Sequence, residues 1–328
     1  MGCTVRALEV VSLDGPQAVK LTDVAVPEPS PGQVLVRVIA AGVNFADVQE
    51  SRGTYPPGRS APFVAGQEMV GEVAALGAGV TGWSVGDRVY GGGAGTFAEY
   101  VTAPAAGLVP IPAGWSATQA AGLFSNWLTA YVSLRTFGHV RAGETVLVHA
   151  AAGGVGQAAV RIARVLGADV VGTASGEPKR RLLNDLGVSR VVDYTREDVV
   201  TGVRRLTGGR SVDLILDTVG GSTFRAGLEL AANHTGRIVV VGILAGDAAV
   251  SNRELLWDHQ VQLLGVNMRA LMGHRPDLVQ RAAGELFALL AEHGIRPDEP
   301  TSADLADGPD VLARMEDRRT TGKLVLLP

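Results

Sequence analysis

The pattern of hydrophobic and polar positions changes rhythm twice along the chain. In the first third, short apolar runs are broken by turns. QVLVRVIAAGV (33–43) carries a single Arg, MVGEVAALGAGV (69–80) alternates before a glycine turn, and GDRVY and FAEYV are short runs set among glycines. Prolines at 27, 29, 31, 56, 57, 104, 110 and 112 punctuate the loops. This pattern predicts a folded antiparallel barrel or sandwich. From about residue 124 strands alternate with stretches long enough for crossover helices. The predicted strands are 146–150, 169–173, 190–193, 212–217, 237–242 and 261–266, each a buried-type apolar run. The helix after the first of them places Val155, Ala159, Ile162 and Leu166 on one face, turns Arg161 and Arg164 away, and closes at Gly167. Six strands in this rhythm describe a doubly wound parallel sheet. The tail departs again: PDLVQRAAGELFALLAEHGI predicts an amphipathic helix with Leu278, Ala282, Leu286 and Leu289 on one face. A polar loop follows, and GKLVLLP reads as a final strand. The expected organisation is a β-rich domain of 1–123 plus 270–328, interrupted by a nucleotide-type domain of 124–269.

Composition narrows the class. At 328 residues the chain is long enough for two domains with a well-buried core. Its 43 glycines exceed an average usage of about 7%, and with no G-X-Y period they imply turns and close backbone approaches. A net charge of -4 and a pI near 5.9 argue against nucleic acid or a polybasic membrane surface as partner. Cys3 is the one cysteine, so neither an internal disulfide nor a cysteine-rich zinc cage is available. The N-terminal MGCTVRALEV has no apolar signal core. The uncharged stretch 145–160 is too short and glycine-broken for a membrane span. The expectation is a soluble, cytoplasmic chain.

The strongest chemical signal lies in VLVHAAAGGVGQAAV (146–160). A strand runs into AAGGVG (151–156), where Gly153 and Gly156 take the second and third positions of G-x-G-x-x-G and Ala151 replaces the first. Gly153 admits a pyrophosphate to the backbone, Gly156 allows close helix–strand packing, and the helix N-terminus attracts the anion. Gly154 and Val155 complete the loop. An NAD site carries Asp or Glu at the end of the second strand, on the ribose 2′-OH. Here Ala174 or Ser175 stands there, Glu177 comes late, and Lys179, Arg180 and Arg181 follow. Ser175 and Lys179 suit the 2′-phosphate of NADPH; Arg180 and Arg181 read equally as a solvated basic turn.

In these residues the chain resembles the medium-chain dehydrogenase/reductase superfamily, and within it the zinc-independent quinone oxidoreductase family. The matching stretches are AAGVNFADVQESRGTYP (40–56), AGQEMVGEVAALGAGVTGWSVGDRVYG (65–91), NWLTAYVSL (126–134), VLVHAAAGGVGQAAV (146–160), VDLILDTVGG (212–221), GRIVVVG (236–242) and TTGKLVLLP (320–328). They span nearly the whole chain in family order. The resemblance implies a Rossmann domain inserted in a GroES-like catalytic domain.

It also implies a set of site residues. The positions of the Cys, His and Cys zinc ligands of alcohol dehydrogenases match Asn44, Gln67 and Ser125. None is a good ligand for catalytic zinc, so no metal is expected, and Gln67 and Glu68 read as packing or hydrogen-bonding residues. Without a Lewis acid the acceptor must already be electrophilic: a quinone or an α,β-unsaturated carbonyl. Asn44, Asp47 and Tyr55 lie in the segment that lines the family's cleft. Asn44 is assigned an amide contact to nicotinamide ribose or substrate oxygen. Tyr55 is a proton donor or a wedge in its proline-rich loop, and Asp47 is a structural hydrogen-bonder or a general acid. Asn126 and Thr129 match positions near the nicotinamide or its phosphate, and Tyr194 matches the adenosine end. Gly242 closes the fifth strand, and Arg318 or Arg319 with Lys323 resembles a phosphate-side closing element. Polyketide-type enoyl reductase domains are close relatives that share the tyrosine at 55, but Ile243 stands where they carry a lysine. An enoyl reductase of secondary metabolism is therefore the alternative, and a dinucleotide-binding protein with little turnover a further one. By analogy with the family, a homodimer through the apolar strand 261–266 is expected.

Overall fold

The computed structural model describes residues 3–328; positions 1 and 2, where the first expected domain and the N-terminal stretch begin, lie outside the described residues. The chain divides into two compact units. One comprises the chain up to Ser125 together with Arg296–Pro328, the other Asn126–Ile295.

The first unit is built on β1 (Thr4–Val10), β2 (Val19–Ala25), β3 (Gln33–Val43), β4 (Phe63–Val64), β5 (Glu68–Leu76), β6 (Arg88–Gly92), β7 (Tyr100–Pro104) and β8 (Val109–Pro110). Antiparallel pairs β1–β2 and β1–β4 make a small sheet, while β3 pairs with both β5 and β7 in a larger one. In β3 the period-two pattern is visible as burial: Val34, Val36 and Val38 are buried and Arg37 is exposed. Those valines join Leu8, Met69, Val89 and Phe97 in one core. Each such side chain removed from water stabilises by ~1.5–3 kcal/mol.

The second unit contains β9 (Thr145–Val148), β10 (Asp169–Ala174), β11 (Val191–Asp193), β12 (Leu214–Asp217), β13 (Arg237–Val240) and β14 (Gln262–Gly265). They form a parallel sheet in the order β11-β10-β9-β12-β13-β14, the doubly wound topology read from the rhythm of the sequence. Strand order reverses between β9 and β12, and ligands of such sheets bind outside the carboxyl ends at that point. Apart from β10, which runs one residue further, the strands are shorter than their predicted runs. β9 ends at Val148 because Ala150 adopts φ 48°, which takes the chain out of extended geometry.

Two further strands return to the first unit, β15 (Thr301–Asp304) and β16 (Leu324–Leu327). β16 joins the edge of β3, and β15 pairs parallel to β16. The sequence reads 301–304 as a polar loop. TSAD forms a strand because its backbone pairs at an exposed edge, where no apolar pattern is required.

Two expectations are corrected. The segment 270–295 belongs to the second unit, because helix Pro276–Glu292 buries Val279, Ala282, Ala283, Leu286 and Leu290 there. Its Glu285 also accepts a 3.0 Å hydrogen bond from the Tyr131 hydroxyl. The buried stripe is turned by about one residue from the expected face, leaving Leu278 and Leu289 half-buried. No described helix is long and apolar enough to cross a membrane.

Candidate functional site

Each unit carries a polar cluster. In the second unit it surrounds the turn from β9 into helix Gly154–Val165. Gly153 is the N-cap, and no side chain caps the helix, so first-turn N–H groups remain for an anion. A Cβ on Gly156 would collide with the backbone of Ala150 and Ala151, and one on Gly154 would collide with the Asn126 amide. This turn admits only glycine at 156. Asn126 and Thr129 are buried, and Val155 is half-buried.

The residues expected at the adenosine side lie around the end of β10. Ser175 precedes helix Gly176–Asp185, Lys179 lies in that helix half-buried, and the Tyr194 backbone N–H donates to Ala174 O at 3.2 Å. Tyr194 itself is exposed. Asp193 holds the corner by accepting from Gly176 N, Thr195 N and Thr195 Oγ1. The Thr195 hydroxyl is the main cause of its lowered pKa. Arg180 and Arg181 both pair with Glu177, at 2.8 and 3.1 Å. That exposed network supports the solvated reading of these two arginines. Gly242 is fixed by packing, since a Cβ there would strike the Thr218 carbonyl.

His149 and Asp217 were not singled out from sequence. Both are fully buried, at the ends of adjacent strands. Thr173 Oγ1 accepts from Ala150 N and lies 3.2 Å from His149 Nδ1. His149 Nε2 is buried with no hydrogen-bond partner. Burial lowers the His149 pKa. Asp217 Oδ1 gathers Val219 N, Gly220 N and Thr223 Oγ1, fixing the loop after β12. A histidine ending an otherwise apolar strand is the sequence signal that marks this pair.

In the first unit the cluster is centred on Glu68, 1% exposed. Its Oε1 accepts from Asn44 Nδ2 at 2.9 Å and from Lys323 Nζ, while Oε2 accepts from Ser125 N at 2.9 Å. Lys323 Nζ also donates to Asn44 Oδ1 at 2.9 Å and Val43 O at 3.1 Å. Asn44 Nδ2 completes the network with Ser125 Oγ at 3.3 Å. Lys323, expected at a phosphate-side closing element, donates inside the first unit, where a half-enclosed ammonium needs a carboxylate. Arg318 is exposed with φ 59°, and Arg319 pairs with Asp317. Gln67 stands beside this cluster, and its Nε2 is buried with no hydrogen-bond partner. Tyr55 is half-buried in its loop, where its carbonyl accepts from Gly58 N.

Asp47 is buried, and its Oδ2 accepts from Asn44 N at 2.7 Å, closing the start of helix Phe45–Ser51. Burial pushes its carboxyl well above the usual range. The Asn44 hydrogen bond opposes that shift, and the Glu50 charge adds to it. A carboxyl raised in the folded state contributes stability in full below its unfolded pKa, near 4, and loses it as pH rises through the folded value. Asp47→Asn keeps an acceptor for Asn44 and does not ionise. The variant is expected to gain on the wild type in urea midpoints measured at successive pH values above about 4. A gap that narrows with rising pH would contradict this placement of the proton.

The donor types at Asn44, Gln67 and Ser125 do not fit zinc, and the cation beside Asn44 and Glu68 is the Lys323 ammonium. Among the described residues no group of three His, Cys, Asp or Glu could hold a metal ion.

Comparison with known proteins accords with this architecture. Residues 30–113 match the alcohol dehydrogenase GroES-like domain, and residues 154–284 match the zinc-binding dehydrogenase family. A quinone oxidoreductase of Pseudomonas aeruginosa is 36% identical over 98% of this chain and 99% of its own. The Escherichia coli quinone oxidoreductase complexed with NADPH superposes with a TM-score of 0.92 at 30% identity, over 98% of this chain and 100% of that one. The phthioceranic/hydroxyphthioceranic acid synthase of Mycobacterium tuberculosis is 35% identical over 91% of this chain, which spans 14% of that much longer protein. A doubly wound Rossmann sheet interrupting a GroES-like β domain, with this sequence likeness over its full length, places the chain in the quinone oxidoreductase-like family of the medium-chain dehydrogenase/reductase superfamily.

Proposed function

We propose that this oxidoreductase is an NADPH-dependent reductase of quinones or α,β-unsaturated carbonyl compounds that works without a metal. One observation carries the reading: a glycine loop opening an uncapped helix shares a chain with a polar cluster whose cation is an ammonium. NADPH, when bound, supplies a hydride, and a conjugated acceptor takes it without a Lewis acid. The E. coli relative complexed with NADPH supports the choice of cofactor.

In this reading Gly153, Gly154, Val155 and Gly156 hold the pyrophosphate, and Asn126, Thr129 and Gly242 flank it. Ser175 and Lys179 take the 2′-phosphate and Tyr194 packs at the adenine end. Arg318 closes over a phosphate from the C-terminal segment. Asn44 orients ligand groups in the first unit, Asp47 clamps the helix that follows Asn44, and Tyr55 donates a hydrogen bond or proton. The likeness to the phthioceranic/hydroxyphthioceranic acid synthase supports an enoyl thioester as the second acceptor class. A homodimer is proposed through β14, which ends the strand order of its sheet; a solution mass measurement tests it.

The cofactor assignment is tested at Lys179. Removing one charge-assisted contact to the 2′-phosphate is expected to weaken NADPH about ten- to a hundredfold in Lys179→Ala. NADH binding should stay at the wild-type value. Equal losses for both cofactors would contradict the assignment.

A further inference from the structure

We infer that Gln67 is the side chain that donates a hydrogen bond to the acceptor's carbonyl oxygen. The inference rests on the proposed reduction of a conjugated carbonyl and names the donor that this reaction requires. As the conjugate carbon of the acceptor gains the hydride, its C=C electron pair moves toward the carbonyl and charge gathers on oxygen. One proton, from solvent or a side chain, then completes the reduction. A donor aimed at that oxygen stabilises the developing charge.

A count of hydrogens in the first unit's cluster shows which groups can serve. An amide nitrogen carries two donors and an ammonium three. Both hydrogens of Asn44 Nδ2 are taken, by Glu68 Oε1 and Ser125 Oγ. The three of Lys323 Nζ are matched by Val43 O, Asn44 Oδ1 and Glu68 Oε1. Asn44 is thereby locked with its carbonyl toward the ammonium, so what it has left to offer a ligand is acceptor capacity. It suits a sugar hydroxyl or a carboxamide N–H and not a carbonyl oxygen.

Gln67 is the opposite case. Its backbone carbonyl is fixed by Gly93 N at 2.9 Å, on the turn entering β5 next to Glu68. Its Nε2 is buried without a protein acceptor, although the residue as a whole is only half-buried. A buried donor without a partner is destabilising, and a ligand oxygen relieves it. Ser125 Oγ accepts from Asn44 and keeps its own hydrogen, which makes it the competing donor.

The test compares wild type, Gln67→Met and Ser125→Ala, with 1,4-benzoquinone and a medium-chain enone as acceptors. Three quantities are measured: kcat/KM for each acceptor, the NADPH dissociation constant and the melting temperature. Gln67→Met is expected to lower kcat/KM about ten- to a hundredfold with both acceptors. Its NADPH affinity should be unchanged and its melting temperature equal to wild type or higher, because no protein hydrogen bond is lost. A packing role for Gln67 would instead lower the melting temperature. Wild-type turnover in Gln67→Met, a melting temperature below wild type, or failure of that variant to fold would overturn the inference. So would the whole loss appearing in Ser125→Ala alone. Any of these with an active wild type leaves the reductase reading standing. A wild type that binds NADPH but reduces neither acceptor removes the reading and the inference together.

Discussion

Glu68→Ala is expected to lower the folding stability by about 3–5 kcal/mol, the range for removing one partner of a buried ion pair. The Glu68 side chain is 2% exposed and that of Lys323 12%, so the ammonium left behind cannot be rehydrated without opening the fold. The same carboxylate also holds Asn44 Nδ2 and Ser125 N, and all of these bonds are lost together. Urea denaturation should show a lower midpoint at an unchanged slope. Glu68→Ala with Lys323→Met should be less destabilised than the sum of the two single changes, since the second removes the stranded charge. Additive losses, or a Glu68→Ala loss below about 1 kcal/mol, the value of an exposed pair, would show that the cluster is solvated.

The other large effect is expected at the glycine loop. In Gly156→Val the new Cβ meets Ala150 O and lies 2.6 and 2.7 Å from the Cα and C of Ala151. These are backbone atoms, so the loop itself must move. Overpacking of this kind costs about 1–3 kcal/mol or more. The displaced N–H groups should weaken NADPH at least about tenfold. Gly154→Ala is the graded comparison: its Cβ meets the Asn126 amide, a side chain that can rotate, and the loss should be smaller. NADPH titration of both variants, alongside thermal melts, checks the order. A Gly156→Val protein with wild-type NADPH affinity would contradict the role given to this turn.

What the sequence made legible follows from where the physics is local. Five of the six parallel strands are buried along most of their length, so their apolar runs announce them. The glycine loop is likewise a local device, in which Gly153 and Gly156 sit at fixed offsets from a strand end and a helix start. The network around Glu68 was not legible in this way. Lys323 meets Glu68 across 255 residues, and nothing in GKLVLLP tells a lysine aimed at a carboxylate from one aimed at a phosphate. Asn44 stands out in the sequence as a polar residue, but its hydrogen-bonding role depends on partners that only the fold assembles. β15 was missed because an edge strand that pairs by its backbone needs no hydrophobic pattern. The tail helix was found with its buried stripe displaced, since Leu278 and Leu289 compete with Val279 and Leu290 for the same face.

The central claim is that NADPH reduces an electrophilic carbonyl acceptor on this protein without metal assistance. Its most direct test is steady-state oxidation of NADPH and NADH, side by side, with 1,4-benzoquinone and a medium-chain enone, on protein dialysed against a chelator. The account predicts turnover with at least one acceptor, faster with NADPH than with NADH and undiminished by the chelator. Turnover with neither acceptor, a preference for NADH, or activity that returns only with added zinc would contradict it.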